Sequence, residues 1–134
     1  FFQAEDGIRH FCLSRGLGDV YKRQYSNSAK VKILGVNKET LLKEGAVSES
    51  VVREMVIGAM QLGRAEYGIA ISGVAGPGGG SKERPVGTVC FALGNSEEII
   101  TSTMHFEGDR DDVRNQSVIY AFTEINNFLK TLQN

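Results

Sequence analysis

Apolar residues at Val52, Met55, Val56, Ala59 and Met60 recur at i, i+3, i+4, i+7 and i+8, the spacing that lines one face of an α-helix. Ser48 precedes this run as an N-cap, and Glu49 opposes the positive end of the helix dipole. The period then shortens. Tyr67 to Ser72 and Gly87 to Leu93 are short apolar runs that predict buried strands, and Glu98 to Phe106 predicts a third. In that third strand Ile100, Met104 and Phe106 fall on one face and Thr101, Thr103 and His105 on the other. Asp109 opens a last helix, with Asp111 and Asp112 in its first turn. Its stripe of Val118, Ala121, Phe122, Ile125, Phe128, Leu129 and Leu132 is expected to dock on the sheet. Upstream, Asn27 is expected to cap a short helix over 28–34 ended by Gly35, and a second short helix runs over 38–43, closed by Gly45.

Between the first two strands lies Ser72-Gly73-Val74-Ala75-Gly76-Pro77-Gly78-Gly79-Gly80, a loop whose glycines let backbone amides approach a ligand without a Cβ in the way. Pro77 stiffens it, which a merely flexible hairpin connection does not require. The flank, Ser81 to Thr88, lacks the Gly-Lys-Ser/Thr of a phosphate loop, so a P-loop NTPase is disfavoured, while a backbone nest for anionic oxygens remains open.

With 134 residues, 41% of them hydrophobic, the chain suffices for one domain with a real core. A net charge of −1 and no basic run argue against a nucleic-acid partner, and no stretch is long and apolar enough for a membrane span, so the expected compartment is the cytoplasm. Cys12 and Cys90 read as unpaired thiols without neighbours at metal-ligand spacing, Cys90 in a strand. Homo-oligomerisation stays open.

Two further places collect polar residues that a core does not need. In Tyr25-Ser26-Asn27-Ser28-Ala29-Lys30, a helix capped by Asn27 puts Lys30 in the first turn, where the dipole disfavours an ammonium and lowers the lysine's pKa towards that of a general base; the alternative is a solvated surface lysine. Arg110 and Arg114, four apart, share a helix face suited to phosphate or carboxylate, or else pair with nearby acids. His105 reads as a satisfied strand residue.

Tyr-Ser-Asn-x-x-Lys at 25–30, Gly-Ala-Val-Ser at 45–48, Gly-x-Ala-Gly-Pro-Gly-Gly-Gly at 73–80, Pro-Val-Gly-Thr-Val at 85–89 and Phe-x-Gly-Asp-Arg at 106–110 together resemble the C-terminal domain of the CinA family, the competence/damage-inducible proteins. The resemblance implies a single α/β domain folded as a three-layer α/β/α sandwich. It implies an amidohydrolase that converts nicotinamide mononucleotide to nicotinate mononucleotide and ammonia, with no metal or other cofactor. It places Tyr25 and Lys30 in the catalytic site beside a serine nucleophile, with Gly73, Ala75, Gly76, Gly78, Gly79, Gly80, Arg110 and Arg114 against a pyridine nucleotide.

That serine belongs to a Glu-Ser-x-Thr-Gly-Gly segment further upstream of Tyr25 than the 24 residues this chain has there, and none of those 24 sits in such a motif. Residues 1–24 show neither helical nor strand periodicity and resemble a peptide read from sequencing-adapter DNA. They are expected to be a non-native, irregular or disordered segment ahead of a domain over 25–134 that is incomplete at its N-terminus. The expected consequence is a chain that binds nucleotide without hydrolysing it; the rival reading is a non-catalytic nucleotide-binding or interaction module.

Overall fold

The computed structural model describes residues 27–134, so Tyr25 and Cys12 lie outside it, as does the segment 1–24. Residues 27–32 are helical (α1), followed by α2 (Lys38–Glu44), α3 (Glu49–Gly63), β1 (Tyr67–Gly73), β2 (Thr88–Asn95), β3 (Ile99–His105) and α4 (Arg110–Leu132). The strands form one antiparallel sheet in the order β1-β2-β3, with Gly73 opposite Val89 and Tyr67 opposite Asn95.

Strand alternation assigns the two faces. Phe91 meets Tyr120 of α4 at a ring-centroid distance of 4.6 Å, and the Tyr120 hydroxyl donates to Ser102 Oγ at 3.1 Å, so α4 covers the face that carries Phe91 and Ser102. On the opposite face a side chain at Gly68 would meet Met60 and Val56 of α3. Helices therefore cover both faces, and the fold is the α/β/α sandwich that the family motifs imply. Between the layers β2 is buried along nearly its whole length, which explains the unbroken Val89-Cys90-Phe91-Ala92-Leu93 run in an antiparallel strand. Burial also pushes the Cys90 thiol up from its ordinary value.

The predicted caps Ser48 and Asp109 are present. Ser48 Oγ accepts from Val51 N, and Asp109 and Asp112 exchange bonds in a capping box. Asn27 is different: it is itself helical, so it does not cap the helix. The docking stripe of α4 is also displaced. Val113, Ser117, Ala121 and Phe128 are buried, whereas Val118, Phe122 and Leu132 are exposed. Each helical residue turns about 100° from the last, so apolar residues one position C-terminal to the buried row face away from the sheet. Ala121 and Phe128 of the predicted stripe are among the buried residues, while sequence alone misses Val113 and Ser117, the latter a small polar residue that carries no hydrophobic signal.

Gly58, buried inside α3, packs so closely on α1's trailing turn that a Cβ would fall on the Leu34 carbonyl. Glycine to alanine in a helix interior ordinarily stabilises by about 1 kcal/mol. Here Gly58→Ala is expected to destabilise by roughly 1–3 kcal/mol, read as a lowered urea midpoint.

Candidate active site

Lys30 is 1% exposed. Its Nζ donates to Ser72 Oγ at 3.4 Å, and Ser72, wholly buried at the C-terminal end of β1, donates its own hydrogen to the Ala46 carbonyl at 2.7 Å. The lysine is thus no solvated surface residue. Because the Ser72 proton is directed at Ala46, this hydroxyl presents a lone pair to the amine and orients it.

The Gly-Ala-Val-Ser segment supplies the platform. Gly45 ends α2 with φ +82°, a conformation that favours glycine. Ser48 Oγ donates to the Gly45 carbonyl at 2.8 Å while capping α3, which leaves the intervening Ala46 carbonyl for Ser72.

The glycine loop, residues 74–87, joins two antiparallel neighbours but is not a slack connection. Val74 N donates to Thr88 O at 2.9 Å and Gly87 N to Val74 O at 2.7 Å, which extends the ladder into its base. His105 Nε2 lies 3.0 Å from Val86 O, a satisfied role for that histidine. At Gly87, φ +98°, a Cβ would collide with the Phe106 carbonyl. Arg110 Nη1 donates to Gly76 O at 3.0 Å, so the last helix braces the loop where β1 leaves it.

The predicted binding residues therefore divide. Gly73, Ala75 and Gly76 are buried in the base, Gly73 because any side chain would strike Val89, while Gly78, Gly79 and Gly80 form an exposed tip. Arg110 joins the loop; Arg114 is exposed one turn further along α4. Among the described residues, buried Asn27 Oδ1, three residues before Lys30, has no hydrogen-bond partner. Among the described residues no three His, Cys, Asp or Glu side chains come together as they would around a metal ion, and no helix is long and apolar enough to cross a membrane.

Ser72 is the site residue that sequence reasoning passed over. Its signal is present: it is the one serine of β1, on the face shared with Gly68 and Ala70 that α3 covers, so it must find polar partners inside the protein.

These features define an α/β/α domain with a buried, hydroxyl-bound lysine at the base of a braced glycine loop. The chain belongs to the CinA C-terminal domain family, whose model matches residues 16–129. It is 56% identical over 98 residues to the nicotinamide-nucleotide amidohydrolase PncC of Escherichia coli K12, a match covering 72% of this chain and 59% of that protein. It is 46% identical over 110 residues to a CinA-like protein of Fervidobacterium nodosum, covering 80% of this chain and 27% of the relative. The chain thus spans less than two thirds of either protein. Among solved structures, the competence/damage-inducible protein CihA of Agrobacterium tumefaciens superposes with a TM-score of 0.75 at 37% identity, covering 78% of this chain and 64% of that one.

Two outcomes test this geometry. Ser72→Ala removes both the lysine's acceptor and the donor to Ala46, and is expected to destabilise by about 1–3 kcal/mol in denaturant unfolding. Cys90 lies opposite Ser72 in the ladder. Its raised folded-state pKa means that the native state holds the thiol proton more tightly, so this stabilisation is complete below the unfolded thiol's pKa and is lost as pH rises through the folded value. The loss of stability at alkaline pH is accordingly expected to be smaller in Cys90→Ala.

Proposed function

We propose that this domain hydrolyses the carboxamide of nicotinamide mononucleotide, and that Lys30 is its general base. The observation that carries this reading is the fully buried Lys30–Ser72 contact beneath the glycine loop. The names of the PncC relatives support the substrate.

In this mechanism the neutral Lys30 amine takes the proton of a serine hydroxyl while the alkoxide oxygen bonds to the carboxamide carbon. Backbone amides stabilise the oxyanion that develops on the carbonyl oxygen. As the tetrahedral intermediate collapses, the C–N bond breaks, and the Lys30 ammonium returns its proton to the departing nitrogen, giving ammonia and an acyl-enzyme. Water, deprotonated by the same amine, cleaves the ester to the nicotinate carboxylate and restores the serine. Ser72 serves as a positioning residue that aims Nζ, and Tyr25, outside the described residues, is the second catalytic residue that the family motif names. Arg110 and the loop from Gly73 to Gly80 shape the nucleotide's place, with Arg114 at its margin.

The nucleophile is the serine of the Glu-Ser-x-Thr-Gly-Gly motif, which the 134 residues do not contain. We therefore expect the chain as it stands to bind nucleotide without turnover, since losing a nucleophile removes orders of magnitude of rate. Ammonia release is to be measured on this chain and on one joined upstream of Tyr25 to the corresponding segment of the Escherichia coli relative. Turnover is expected only in the joined protein, with Lys30→Ala lowering kcat by about 10²–10⁴-fold. No release above background from the joined protein would sink the proposal. Comparable turnover by the unjoined chain would show instead that one of residues 1–24 supplies the nucleophile.

A further inference from the structure

The loop flank carries a cation that the fold does not use. Arg84 is half-buried, and its backbone is fixed: Ser81 N donates to Arg84 O at 2.9 Å, and Arg84 N donates to Ser81 Oγ at 3.0 Å. The side chain runs from this turn onto the Gly-Ala-Val-Ser platform, where a Cβ built on Gly45 would stand 3.4 Å from its Nη1 and 3.9 Å from its Cζ. Glu49 is near enough for both it and Arg84 to act electrostatically on Cys90, yet the two do not pair. Among the described residues no carboxylate or carbonyl takes a hydrogen bond from the Arg84 guanidinium, whereas Arg110 is engaged with Gly76.

Its position gives the spare charge a purpose. Gly45 adjoins Ala46, whose carbonyl holds Ser72 and through it Lys30. On the other side the Arg84 carbonyl lies against Gly80, 3.2 Å from where a Cβ would be, so the guanidinium springs from the foot of the exposed glycine tip. A planar fork beside exposed glycine amides suits an anion with several oxygens.

We propose that Arg84 is the specificity-determining residue that binds the phosphate monoester of the ligand, with Arg110 as the brace of the loop rather than the anion's main partner. The inference rests on the proposed function only for the identity of the base attached to that phosphate.

Titration calorimetry on the full chain with nicotinamide mononucleotide, nicotinamide riboside and ribose 5-phosphate tests it. The unmodified chain is expected to prefer the mononucleotide over the riboside. Arg84→Gln is expected to shrink that preference by about 10- to 100-fold, the worth of a charged hydrogen bond. Arg84→Lys, a point charge without the fork, should retain part of it, and Lys82→Gln, which removes an exposed charge from the same flank, should retain it all. Equal thermal midpoints establish that the variants are folded. The inference is overturned if Arg84→Gln keeps the full preference, if Lys82→Gln loses as much, or if the unmodified chain shows no preference. If ribose 5-phosphate binds as tightly as the mononucleotide and equally needs Arg84, the phosphate site stands and the pyridine-nucleotide reading falls.

Discussion

A lysine with 1% of its surface exposed is a costly thing to enclose, and the interior must answer its amine with polar partners. The Ser72 hydroxyl is the described part of that answer, and it ties three segments to one point: α1 through Lys30, β1 through its own backbone, and the turn before α3 through Ala46. Much of the surrounding structure follows from keeping that turn in place. Gly45 must reverse the chain, Ser48 must start α3 at once, and Gly68 must let α3 lie close on β1.

The other face of the sheet is organised by shape rather than polarity. Phe91 stands at the centre of an aromatic group with Tyr120 and Phe106, the latter at 6.2 Å and nearly perpendicular. Phe106 is also where β3 gives way to α4: its amide donates to Gly87 O, and two residues on, Gly108 leaves room for the Asp112 side chain that closes the capping box. Arg110 then reaches Gly76. The aromatic packing thus fixes the start of α4, and α4 in turn fixes the loop.

Elements with strong local signals were legible in the sequence. Ser48, Asp109 and the period of Val52 to Met60 identified their helices, and three apolar runs identified the strands to within one or two residues. The motif set pointed to the family and to Lys30. Long-range relations were harder to read. Nothing local in Asn27 says that it lies inside a helix, and the burial of Lys30 depends on layers that meet only in three dimensions. The α4 docking row was misread because Ser117 is buried by back-bonding its hydroxyl to Val113 O, a solution invisible to a hydrophobic pattern. Ser72 was hidden for a related reason: strand alternation gives its face, but only the folded turn offers the Ala46 carbonyl.

The ladder between β1 and β2 runs residue against residue from Tyr67↔Asn95 to Gly73↔Val89, so the glycine loop leaves and rejoins the sheet at adjacent rungs. Closing a loop between neighbouring points has an entropic cost that grows only logarithmically with length. Residues can therefore be added to or removed from the tip with little thermodynamic effect on the sheet. A slip of one rung in the ladder would instead put Ser72 and Phe91 on the same face, turning either Ser72 towards the aromatic group or Phe91 towards Lys30. The most permissive and the least permissive positions of the domain thus lie within a few residues of each other, an exposed loop tip whose length can vary on a frame whose register cannot.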